Sequence, residues 1–173
     1  MSEPWLVVVD PQRVFADPSS PWAADGFDAL VGPIRELAAH HPGRVLVTRW
    51  VPGGDRVGSW RTYFEAWPFA DRPADDPLFD LVPGLADLTT TTLDAPTFGK
   101  WAEIEAVTGP GPELVLTGVA TDCCVLSTAL AAADGGATVR VVAAACAGSS
   151  PEAHERALDA MALYAPQVEV VRA

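Results

Sequence analysis

Four short segments of this chain, "WLVVVD" (5–10), "RVLVTRW" (44–50), "ELVLTGV" (113–119) and "TVRVVAA" (138–144), are almost continuously apolar and rich in β-branched residues. A strand with one wet face alternates apolar and polar residues, whereas a strand covered on both faces has no need to. The four segments therefore predict buried strands of a parallel sheet. "TTTTLD" (89–94) and "QVEVV" (167–171) are weaker candidates for two more.

Helix-length stretches lie between them. "FDALVGPIRELAAHH" (27–41) places Leu30, Ile34, Leu37 and Ala38 on one face, with Pro33 bending or delaying the helix. "DCCVLSTALAAAD" (122–134) stops at Gly135-Gly136, and "SPEAHERALDAMALYA" (150–165) opens with a Ser cap followed by Pro. Strands alternating with helices predict an α/β fold, a doubly wound three-layer sandwich with a mainly parallel six-stranded sheet. Ligands in such sheets sit beyond the carboxyl ends of the strands. With 173 residues, one domain over 1–173 is expected.

Residues 51–83 break the pattern. They are rich in Pro, Gly, Asp and aromatic residues, and only "GSWRTYFEAW" (58–67) suits a short helix. An irregular segment of this length is expected to be a lid or an interface, the alternative being a surface excursion without a role.

The net charge of −12 opposes binding to nucleic acid or to an anionic membrane surface. No stretch is long and apolar enough for a membrane span, and the apolar run at Trp5–Val9 is too short for a signal peptide. Three cysteines, two of them adjacent, make no disulfide framework, so a cytoplasmic location is expected.

The adjacent cysteines, in "GVATDCCV" (118–125), fall where a strand turns into a helix. Free N–H groups and the positive dipole end favour a thiolate there and can hold an oxyanion. Helical spacing puts Cys123 with Leu126 and Leu130, as core filler, and Cys124 with Ser127, Thr128 and Ala131, facing a site. None of His40, His41 or His154 has the context of a metal ligand or a catalytic base. Asp10, ending the first strand, is a carboxylate base at the same sheet edge, or else a turn residue. Lys100 is the only lysine against ten arginines, which suggests a position that requires an ammonium, or else drift at a solvated helix start.

"VVVDPQRVF" followed by "LVLTGVATDCCV" resembles the isochorismatase-like cysteine hydrolases, which include nicotinamidases, N-carbamoylsarcosine amidohydrolases and isochorismatases. The resemblance spans essentially the whole chain, through D-x-Q-x-x-F at Asp10, Gln12 and Phe15 and G-V-A-T-D-x-C-V at 118–125. It implies a catalytic triad of Cys124, Asp10 and Lys100. It also implies a cis peptide at Val119-Ala120 and an oxyanion hole from the Ala120 and Cys124 N–H groups. Phe15, Trp50 and Trp101 are expected against the substrate, although the tryptophans equally suit core or dimer contacts.

Three features depart from the family pattern. The lysine lies several residues beyond the expected place, near Ala95. "TRWVPGG" (48–54) lacks the Asp and His metal ligands of nicotinamidases, so no metal and no other cofactor is expected. Ala144 stands where an acidic residue is common. The leading expectation is metal-independent hydrolysis of a C–N bond in a small amide or carbamoyl substrate through a Cys124 thioester. The alternatives are isochorismatase-type vinyl-ether hydrolysis using Asp10, or a catalytically weakened ligand-binding member of the fold. The partner is a small-molecule substrate, and the family implies a homo-oligomer.

Overall fold

The computed structural model describes residues 3–172. Six strands, all parallel, form one sheet: β1 (Trp5–Val9), β2 (Val45–Trp50), β3 (Leu93–Ala95), β4 (Glu113–Val119), β5 (Thr138–Ala147) and β6 (Val168–Val171). Their spatial order is β3-β2-β1-β4-β5-β6. The winding reverses between β1 and β4, and a crevice opens at such a switch point beyond the carboxyl ends of the two strands.

The helices are α1 (Arg13–Ala16), α2 (Val31–Ala39), α3 (Ser59–Ala66), α4 (Trp101–Thr108), α5 (Leu126–Asp134) and α6 (Pro151–Ala162). β1 explains why the strands read as unbroken apolar runs. Leu6 and Val8 enter one layer, with Ile34 of α2 and Phe64 of α3, while Val7 and Val9 enter the other, with Ile104, Ala129 and Leu158 of α4, α5 and α6. Both faces of the strand are covered. Each such side chain removed from water contributes about 1.5–3 kcal/mol.

Local signals set the ends of the elements. Ser150 caps α6 by accepting from the Ala153 N–H. The stretch 27–41 starts as a 3-10 turn, Phe27–Leu30, before α2, so Pro33 falls in the first helical turn, where its missing N–H costs nothing. β3 is shorter than the predicted strand and begins only at Leu93.

Gly118 draws the two central strands together. Its φ is +100°, and a Cβ there would lie 2.2 Å from the Val9 carbonyl oxygen. Only glycine permits this approach at the switch point.

Candidate active site

Asp10 follows β1 in a left-handed conformation, φ +48°, and is fully buried. Short polar side chains tolerate that region better than most. Thr48 of β2 fixes its orientation: the Thr48 hydroxyl donates to Asp10 Oδ1 at 2.6 Å and accepts from the Asp10 N–H at 3.1 Å. Oδ2 has no hydrogen-bond partner among the described residues, yet it lies 3.1 Å from Lys100 Nζ.

Lys100 reaches this point from the N-terminal end of α4. Its side chain is wholly buried, and Nζ donates to the Thr97 and Phe98 carbonyls at 2.7 and 2.8 Å. With Asp10 these account for the three directions of an ammonium, which a planar guanidinium could not match. The Lys100 N–H donates to Thr128 Oγ1 of α5, tying the loop after β3 to the helix after β4. The lysine thus arrives beside Asp10 despite its shifted place in the sequence.

Residues Thr121–Val125 form a π-helical turn ahead of α5, in which the Val125 N–H reaches back five residues to the Ala120 carbonyl. This wide turn and the small residues beneath it correct the expectation for Cys123. The core-facing side of α5 is Thr128, Ala129, Ala132 and Ala133, with Leu126 and Leu130 only half-buried. Small residues let the helix sit close on the sheet. Cys123 is accordingly half-buried, packed at the edge of the core with Leu126 and Leu130 while also lining the cavity, and Cys124 is buried.

Both thiols line a cavity of about 270 Å³ together with Ala120, Asp122 and Ser149. The peptide Val119–Ala120 is cis. The thiols titrate as a pair. The neighbouring Cys124 thiol holds Cys123 below its ordinary range, with Lys100 adding to the effect. The same contact, then burial and the Asp10 charge, pushes Cys124 well above it.

The cavity wall is aromatic. Phe15 stacks on Trp22 with ring centroids 6.2 Å apart, and Trp22 meets Trp50 edge to face at 5.2 Å. Tyr63, Trp67 and Phe98 complete the wall. Trp50 closes β2, where Gln12 clamps its backbone: the amide donates to the Trp50 and Phe79 carbonyls and accepts from the Trp50 N–H, each within 2.9 Å. Trp101 does not line the cavity, which corrects that expectation. It packs in the opposite layer, its indole filling the space where a Cβ at Gly135 would stand.

Sequence reasoning missed Thr48, Trp22, Tyr63 and Phe98. A polar residue inside an apolar strand was the available signal for Thr48. The other three lie in segments whose packing no short-range pattern reveals.

A parallel sheet that gathers its buried ionisable groups at the β1–β4 crevice defines a doubly wound α/β enzyme fold. More narrowly, the chain belongs to the isochorismatase-like hydrolase family, whose model, described as the isochorismatase domain, matches residues 4–172. No curated protein sequence gives a match.

Solved structures share the fold at low identity. An isochorismatase family protein from Desulfovibrio vulgaris has a TM-score of 0.80 at 22% identity, over 96% of this chain and 92% of that one. A cysteine hydrolase from Pseudomonas syringae has a TM-score of 0.78 at 19% identity, over 98% and 93%. A pyrazinamidase from Pyrococcus horikoshii, described in complex with zinc, has a TM-score of 0.75 at 24% identity, over 99% and 100%. The residues here do not fit such a metal. Among the described residues no three His, Cys, Asp or Glu side chains cluster to hold an ion, and Trp50 and Val51 follow Arg49 at the end of β2. No helix among them is long and apolar enough to cross a membrane.

Proposed function

We propose that the protein hydrolyses a C–N bond of a small amide or carbamoyl substrate through a thioester at Cys124, with Asp10 and Lys100 as the other members of a triad. The buried Asp10–Lys100 pair at the switch point carries this reading. A buried ion pair seldom offsets its own desolvation in stability. Buried, paired ionisable groups in a cleft are candidates for the place where ligands are processed.

The substrate carbonyl enters above Cys124. Asp10 takes the thiol proton on Oδ2, the oxygen no hydroxyl or amide occupies, and the sulfur attacks the carbonyl carbon. The neutral thiol, favoured by the neighbouring Cys123 and then by burial, suits this order, because the proton leaves only as the bond forms. The Ala120 and Cys124 N–H groups hold the oxyanion. As the C–N bond breaks, Asp10 returns the proton to the departing nitrogen, and ammonia or an amine leaves. Water then attacks the thioester while Asp10 accepts its proton, and the carboxylic acid departs as the thiol reforms. Lys100, 3.1 Å away, keeps Oδ2 in place throughout.

A second reading makes Cys123 the nucleophile, since it lines the same cavity and is the more acidic thiol. Steady-state kinetics on a panel of small amides separates the two. Cys124→Ala is expected to abolish turnover while Cys123→Ala keeps most of it; the reverse pattern overturns the assignment. Turnover of a vinyl ether that survives Cys124→Ala but not Asp10→Asn would select acid chemistry by Asp10 instead.

A further inference from the structure

The charge make-up of the cavity points to a substrate class beyond the bare amide group. Six aromatic side chains, Phe15, Trp22, Trp50, Tyr63, Trp67 and Phe98, form its wall. Among the described residues, no Lys, Arg or His lines it. Lys100 is spent beneath it, enclosed by Asp10 and two backbone carbonyls. The charged side chain on the lining is Asp122, whose carboxylate oxygens accept from the Ser149 N–H at 2.8 Å and hydroxyl at 2.6 Å.

A carboxylate-bearing substrate would lose its hydration there and meet no cationic side chain among the described residues, only ring faces, neutral donors such as the Trp50 indole N–H, and another carboxylate. The cavity already disfavours a negative charge on one of its own groups: burial pushes the Tyr63 hydroxyl far above its usual range. A cation loses hydration too, but here it gains a compensating attraction. Ring faces attract ammonium groups, most strongly where water is displaced. The chain's net charge of −12 favours the approach of cations and opposes that of anions.

We propose that the cavity selects amides carrying an onium group, with the ammonium against the aromatic wall and Asp122, and the amide over Cys124. Neutral isosteres bind less well and carboxylates are rejected. The proposal rests on the amide reading of the site, and its test is arranged so that the two can fail separately.

Three amides of one length serve as probes: γ-trimethylammonio-butyramide, its neutral tert-butyl isostere, and glutaramate. Their binding to the Cys124→Ala protein is followed by tryptophan fluorescence, and their hydrolysis by the unaltered protein through ammonia release. The onium amide is expected to bind roughly tenfold tighter than its neutral isostere, the scale of a desolvated cation–π contact. Glutaramate is expected to bind at least about a hundredfold more weakly than the onium amide. Trp67→Leu, at the partly exposed rim, and Asp122→Asn should each narrow the onium-to-neutral ratio.

Equal binding of the onium and neutral amides, or glutaramate binding as well as the neutral amide, overturns the proposal whatever is hydrolysed. If the binding order holds and none of the three is hydrolysed, charge selection stands and the amide chemistry does not. Hydrolysis without the charge order upholds the amide chemistry and overturns charge selection.

Discussion

The floor and the wall of the cavity are built in opposite ways. The floor is ionic and rigid: Asp10, Thr48 and Lys100 are fully buried, and each contact runs between the ends of regular elements. The wall is aromatic and draws half of its rings, Trp22, Trp67 and Phe98, from irregular chain, with Trp67 still 38% exposed. Strand ends fix groups in place because the sheet defines their register. Loops offer area and shape, and can change without disturbing the register. Reactivity therefore resides in the floor and selectivity in the wall.

The largest effect expected is that of Asp10→Asn, which removes the proton carrier. A loss of about 10²- to 10⁴-fold in kcat/KM is predicted. A loss below tenfold in a folded variant would remove Asp10 from the chemistry. Lys100→Met tests the floor as structure: it leaves a buried carboxylate without its ion-pair partner, and a loss of about 3–5 kcal/mol is expected in chemical denaturation. Unchanged stability would show that the pair does not hold the switch point.

The wall should respond differently. Trp67→Leu removes one ring from the rim and is predicted to raise KM by about two- to tenfold, the scale of one aromatic contact, with kcat nearly constant. A drop in kcat as large as that of Asp10→Asn would dissolve the distinction between floor and wall. The boundary runs between the two cysteines. Cys123, more accessible and held below the ordinary thiol value near 9, should be alkylated first by iodoacetamide, its rate levelling off at lower pH than that of a free thiol. Cys124, with its proton held more tightly, should lag. Alkylation of Cys124 first would reverse the assignment of the more acidic thiol.

The contrast also explains which parts were legible in the sequence. β1, β2, β4 and β5 stood out because strands covered on both faces carry unbroken apolar runs. Asp10 and the turn at 120–125 were legible because each directly follows such a run. Thr48 was not, because its meaning lies in a contact 38 residues away. The Cys123 expectation was incomplete for a local reason: it assumed α-helical spacing through a turn that is a π-helix, and the thiol meets both the core and the cavity. Trp101 failed for a geometric one. It adjoins Lys100, but successive helical positions point about 100° apart, so the indole turns to α5 while the lysine turns to Asp10. The wall was the least legible part, since Trp22, Tyr63 and Phe98 meet only through packing of segments distant in sequence.

The central claim is that Cys124 carries the acyl group. The most direct test is to quench the protein with acid during turnover of an amide and locate the acyl adduct by peptide mass spectrometry, with the Cys123→Ala variant separating the neighbours. The account predicts a thioester on Cys124 that forms in wild type and in Cys123→Ala alike. An adduct on Cys123, or turnover with no acyl-enzyme at any time, would contradict it.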